Sequence, residues 1–76
     1  MALQLSPRIV VDPAIRFGRP VIQGTRVQVD LVLAKLAAGM TALEIANDYA
    51  LTIDDIQAVL LYAARSLAEE EIRLVA

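Results

Sequence analysis

Thr41-Ala42-Leu43-Glu44-Ile45-Ala46-Asn47-Asp48-Tyr49-Ala50-Leu51-Thr52-Ile53-Asp54-Asp55-Ile56-Gln57-Ala58-Val59-Leu60-Leu61-Tyr62-Ala63-Ala64 holds two helix starts in close succession. Thr41 and Glu44, three residues apart, form a capping box: each side chain can satisfy the other residue's free backbone N–H. Thr52 and Asp55 repeat the arrangement with a shorter acid. A helix of barely two turns, a tight turn near Asn47-Asp48-Tyr49 and a longer helix make a helix-turn-helix. Ala46 is small where the second helix crosses, Leu51 is apolar in the turn, and Ile56 and Val59 point back at the first helix. Ala50 stands where this pattern most often has Gly, because that position tends to need positive φ.

Outward from this unit, Val29 or Asp30 to Ala38 reads as a central helix, with Asp30 as N-cap and Gly39 as its stop. Its apolar residues, Val29, Leu31, Val32, Leu33 and Leu36, run nearly all round, which predicts burial on more than one face. The last helix begins at Ile53 and extends to about Glu70. Ile53, Ile56, Leu60, Ala63, Ala64 and Leu67 make one apolar face, which Val59 and Leu61 widen. Upstream, residues 1–7 read as a loose arm. Arg8 to Val11 reads as a short strand stopped by Asp12-Pro13. Pro20 to Gln23 and Arg26 to Gln28 read as extended edges around a Gly24-Thr25 turn, with Pro20 confined to an edge or strand start.

The fold class is therefore mainly α: a bundle of three to four helices with a short N-terminal β flap. One domain is expected, divided into the flap (8–28), the central helix (29–39), the helix-turn-helix (41–64) and a helix end with tail (65–76). At 76 residues with 58% apolar content, the chain has more apolar surface than a lone small core hides. A homodimer, a tight partner or both are expected to cover the excess.

With no cysteine and no histidine, disulfides, zinc fingers, thiol nucleophiles and the commonest general base are all excluded. No signal peptide or membrane span is legible, so the expected location is the cytoplasm. No metal site and no cofactor are expected. Asp54 and Asp55 diverge by about 100° on a helix and cannot chelate one metal as a pair. No catalytic residues are assigned.

Charge is divided along the chain. Residues 1–28 hold Arg8, Arg16, Arg19 and Arg26 against Asp12 alone, whereas residues 29–76 hold three cations against eight acids. Phosphate neutralisation dominates DNA affinity, so Asp54 and Asp55 at the start of the reading helix oppose DNA. They also suit the positive end of the helix dipole, which accounts for them without a ligand. The candidate DNA contacts are Arg16, Arg19 and Arg26 on the flap, with Gln57 and Arg65 on the last helix. Pairing of the flap arginines with the acidic helical body is the plainer alternative. Glu69, Glu70 and Glu71, followed by Ile72 and Leu74, could mimic nucleic acid in a nuclease cleft or form a solvated helix end.

Ile9-Val-Val-Asp-Pro, Gly18-Arg-Pro-Val-Ile-Gln-Gly-Thr-Arg-Val, the Leu33–Met40 segment, Glu44-Ile and the run from Leu51 to Ala63 resemble the bacterial family known as domain of unknown function 433. The resemblance covers residues 8 to about 66. It implies a homeodomain-like helix-turn-helix and a role as antitoxin in VapBC-type pairs, with a PIN-type nuclease as toxin. Double-stranded operator DNA, bound in autoregulation of the operon, is a further partner to test. The function expected is a non-enzymatic antitoxin that neutralises the nuclease. The alternatives are a stand-alone DNA-binding regulator and a dimeric interaction module without DNA binding.

Overall fold

A computed structural model of the chain describes residues 1–70. Its elements are β1 (Leu3–Ser6), β2 (Ile9–Val11), a 3₁₀ turn (Arg16–Gly18), β3 (Val21–Ile22), α1 (Val29–Ala37), α2 (Ala42–Asp48) and α3 (Ile53–Glu69). The strands form one antiparallel sheet in the order β1-β2-β3. With nearly half the residues helical and a three-stranded sheet against them, the domain is mixed α/β, where the mainly α bundle was expected.

Residues 1–7 are the clearest correction. Leu3 pairs with Val11 and Gln4 with Val10, then a bulge brings Ser6 opposite Ile9. Pro7 and Arg8 close the hairpin, and Arg8 takes φ 67°. Proline first and a positive φ second is the pattern of a type II turn, in which glycine is the usual second residue. Between Val21 and Gln28 the chain turns near Gly24 as read, but only Val21–Ile22 is a strand and the 26–28 segment adds a single bridge. Ile22 N–H donates to the Val27 carbonyl at 3.0 Å, Val21 bridges Gln28, and Gly24 turns the chain at φ 79°.

Asp30 does not cap α1. Gln28 occupies the N-cap without a side-chain bond, and the Val29 N–H is taken by the Pro20 carbonyl at 3.0 Å. Asp30 falls in the first turn, where a carboxylate favours the helix dipole. The other end is as read: Met40 N–H reaches the Lys35 carbonyl and Gly39 N–H the Leu36 carbonyl, with Gly39 at φ 99°. That is a Schellman closure. Only Val29 and Val32 of α1 are fully buried, and Leu33 and Leu36 pack in part.

Both capping boxes form. Glu44 N–H donates to Thr41 Oγ1 and Thr41 N–H to Glu44 Oε1; Asp55 N–H donates to Thr52 Oγ1 and Thr52 N–H to Asp55 Oδ2. Between them α2 ends in a second Schellman bond, Leu51 N–H to the Ala46 carbonyl at 2.8 Å, with Ala50 at φ 55°. Two helices joined by a tight turn thus stand at the expected positions. Left-handed backbone costs a Cβ-bearing residue roughly 1–2 kcal/mol, and glycine's extra unfolded-state entropy returns part of that. Ala50→Gly is therefore expected to stabilise the domain by about 0.5–1 kcal/mol, read as a thermal midpoint some 2–8 °C higher. A lower midpoint would mean that the Ala50 methyl makes packing contacts worth more than the strain.

The core joins all the layers: Ile9 and Ile22 from the sheet, Val29 and Val32 from α1, Ile45 and Ala46 from α2, Leu51 from the turn, and Ile56, Ala58 and Val59 from α3. It fixes the sheet against the start of α3 and leaves the later turns of that helix projecting.

Candidate functional site

The first turn of α3 is occupied by the hairpin. Arg8, on the β1–β2 turn, places one guanidinium nitrogen 3.0 Å from Asp55 Oδ1 and another 3.7 Å from Asp54 Oδ2. The strained φ of Arg8 aims the side chain across the fold to a partner 47 residues away. Burial pushes the Asp55 carboxyl up, but the Thr52 backbone N–H, the Arg8 guanidinium, the Thr52 side chain and the Arg8 charge together hold it below the ordinary aspartate range. The Thr41 backbone and side chain likewise lower Glu44. A carboxyl depressed in the folded state contributes stability that is complete above its unfolded value and lost as pH falls through the folded one. The thermal midpoint is therefore expected to fall on acidification from about pH 5 toward pH 2, and Asp55→Asn should flatten part of that slope. Parallel curves for the two proteins would remove Asp55 from the acid transition.

Past this turn, α3 is apolar on two sides. Ile56, Ala58 and Val59 are buried, while Ile53, Leu60, Leu61 and Leu67 are exposed. The single face expected from sequence is thus split. Ile56 belongs to the core side; Ile53, Leu60 (47% exposed) and Leu67 (66% exposed) belong to an outer stripe that also carries Gln57, Ala64 and Ala68. Residues spaced by three, four and seven share a helix face, which is why these positions line up. The helix closes in two exposed acids, Glu69 in its last turn and Glu70 at its C-cap, and Glu69 lies on the side away from the stripe. Beside it a groove of about 380 Å³ runs between α1 and α3, lined by Val29, Leu33, Tyr62, Ala63 and Leu67 and edged by Arg19 and Asp30.

The flap arginines divide into two kinds. Arg19 pairs with Asp30 at 3.3 Å, so for Arg19, as for Arg8, pairing with the acidic body is what occurs. Among the described residues Arg16 and Arg26 have no carboxylate within 4 Å. Arg16 Nε donates to the Arg26 carbonyl at 3.1 Å, and the two side chains line one cleft with Val27, Gln28, Leu31 and Tyr49. Arg16, Phe17 and Gly18 all have positive φ, at 49°, 57° and 80°, and the Phe17 ring is fully exposed. Two successive non-glycine residues in that region cost about 1–2 kcal/mol each. The ring makes no packing that would offset the cost.

Of the residues proposed from sequence, Arg16 and Arg26 come together, Arg19 lies at the α1–α3 groove, and Gln57 and Arg65 are exposed on α3. Glu71, Ile72 and Leu74 lie outside the described residues. Arg8 and Phe17 were missed. The Arg8 contact spans the whole chain and leaves no local mark; the run Arg16-Phe17-Gly18 could have flagged Phe17 as an aromatic in a glycine turn. Among the described residues no group of three metal-binding side chains occurs, and no helix is long and apolar enough to cross a membrane.

Residues 9–63 match the family model described as "Protein of unknown function (DUF433)". A curated relative, "Putative antitoxin VapB45" of Mycobacterium tuberculosis, is 41% identical over 49 residues, 64% of this chain and 20% of the relative. The crystal structure of Rv2018 from the same organism is similar, with a TM-score of 0.63 and 40% identity, over 68% of this chain and 24% of that one. The chain thus matches about a fifth to a quarter of the length of these relatives.

Proposed function

The chain belongs to the DUF433 family of proteins of unknown function, and on that premise we propose that it is an antitoxin-like module that neutralises a PIN-type nuclease by docking on it through the outer face of α3. The observation that carries this reading is the exposed stripe Ile53, Leu60 and Leu67, with Leu61 exposed beside it, on a helix whose opposite side is already buried in the core. Exposed apolar residues in one continuous strip mark protein interfaces. Past the stripe the helix ends in the exposed acids Glu69 and Glu70, which suit the basic groove in which a nuclease holds its substrate. The antitoxin name of the relative supports the same role.

The same geometry weighs against α3 as a DNA-reading helix. In a repressor-type helix-turn-helix the N-terminal residues of the second helix meet the base edges; here the hairpin lies against that turn and Asp54 is exposed. The test is co-expression with a PIN-type nuclease from the same genome. Growth rescue together with co-elution upholds the proposal, and an uninhibited nuclease sinks it. The expected homodimer would use the same stripe, so light scattering on the free protein and on the complex distinguishes the two occupants.

A second reading, autoregulation by binding operator DNA, is favoured by a separate observation. Arg16 and Arg26 have no carboxylate partner among the described residues and share one cleft. On that reading the flap, not α3, meets the phosphates.

A further inference from the structure

We propose that the Arg16–Gly18 turn is a wedge for double-stranded DNA, with Phe17 entering a base step from the minor groove and Arg16 and Arg26 taking the flanking phosphates. The inference rests on the DNA reading above and specifies its contact. Its basis is the coincidence of three features. Phe17 is fully exposed at the tip of a turn whose three residues all hold left-handed backbone. That turn is held in place: Asp12 accepts the Ala14 and Ile15 N–H groups, Gly18 N–H reaches the Ile15 carbonyl, and Arg19 N–H reaches the Arg16 carbonyl. The Arg16 guanidinium is anchored on the Arg26 carbonyl beside the Arg26 side chain, at a cleft of about 310 Å³.

A strained backbone that presents a ring to solvent is over-determined by its surroundings and points to use at that spot. Apolar wedges flanked by arginines unstack base steps from the minor groove and kink the duplex. One projecting ring suits that action; binding of single strands uses several aromatics in series. The acids nearby do not oppose it. Asp12 caps the turn and lies 3.9 Å from the N-terminal amine, Asp30 is engaged by Arg19, and Asp48 is not among the cleft's lining residues.

The test uses the full chain with a duplex from its own upstream region, carrying 2-aminopurine at successive steps, followed by fluorescence anisotropy and 2-aminopurine emission. The wild type should bind with salt-sensitive affinity and raise emission at one step. Phe17→Ala, at a fully exposed position and so expected to leave the melting curve unchanged, should lose that emission and about tenfold in affinity, in line with the stacking worth of one base. Arg16→Gln with Arg26→Gln should lower the log–log salt slope by about two. Unchanged emission and affinity in Phe17→Ala would overturn the wedge while leaving DNA binding in place. No binding by the wild type at low salt would overturn both.

Discussion

Ile45→Ala lowers the midpoint of thermal unfolding by roughly 10–30 °C, from the cost of a core truncation and the midpoint shift per kcal/mol in a domain this small. Ile45 is fully buried on α2, in the cluster that also takes Ile9 and Ile22 from the sheet, Val32 from α1 and Ile56 and Val59 from α3. Removing its outer carbons costs the transfer term and leaves a cavity, together about 2–5 kcal/mol. A chain of this length holds on the order of 4–11 kcal/mol in total, so the loss is a large fraction of the whole. Circular dichroism on heating measures it. Leu60→Ala is the companion: the same kind of truncation at an exposed position should move the midpoint by only a few degrees. If the two cost the same, the outer face of α3 is already covered in the free protein, and self-association is its occupant.

What was legible in the sequence is what local chemistry decides. The Thr41–Glu44 and Thr52–Asp55 boxes each close within three residues, so spacing alone shows them. At position 50 the need for left-handed backbone was legible, but Ala in place of Gly counted against the turn, and the structure holds Ala50 at φ 55° all the same. Most of the misses are decided from a distance. Leu3–Ser6 is a strand because its backbone pairs with β2, while Leu3 and Leu5 stay exposed and give no inward–outward alternation. Residues 1–7 read as a loose arm, and Pro7 at its end is where the hairpin turn begins. Gln28 caps α1 in place of Asp30 because the Pro20 carbonyl takes the Val29 N–H.

The candidate site divides in the same way. That α3 is rich in apolar residues was plain, but not that they serve two faces. The helix is apolar on opposite sides, and only the positions of the sheet, α1 and α2 decide which side the core takes. The charge asymmetry between the chain's two ends was visible. Which arginines it would neutralise was not, because Arg8 meets α3 only once the hairpin has formed.

On the proposed docking through α3, Leu60→Asp combined with Leu67→Asp is expected to abolish neutralisation of a PIN-type nuclease, with a loss of about a thousandfold in affinity. Both side chains stand on the outer stripe at 47% and 66% exposure. Charges there remain solvated in the free domain, and its melting midpoint should shift by only a few degrees. In the complex each carboxylate would sit unpaired in a desolvated contact. Losing an interface anchor costs about 2 kcal/mol or more, and two of them reach the thousandfold range at 1.4 kcal/mol per tenfold. Pull-down and growth rescue against the toxin read the effect, and the melting curve shows that the fold survives. Arg16→Glu with Arg26→Glu is the control, because those residues line the cleft beside Tyr49 and not the α3 stripe; it should leave neutralisation intact while removing any DNA binding. Full neutralisation by the double aspartate variant would exclude the α3 face as the docking surface. If the variant neutralises but no longer self-associates, the stripe belongs to the dimer and the toxin contact lies elsewhere.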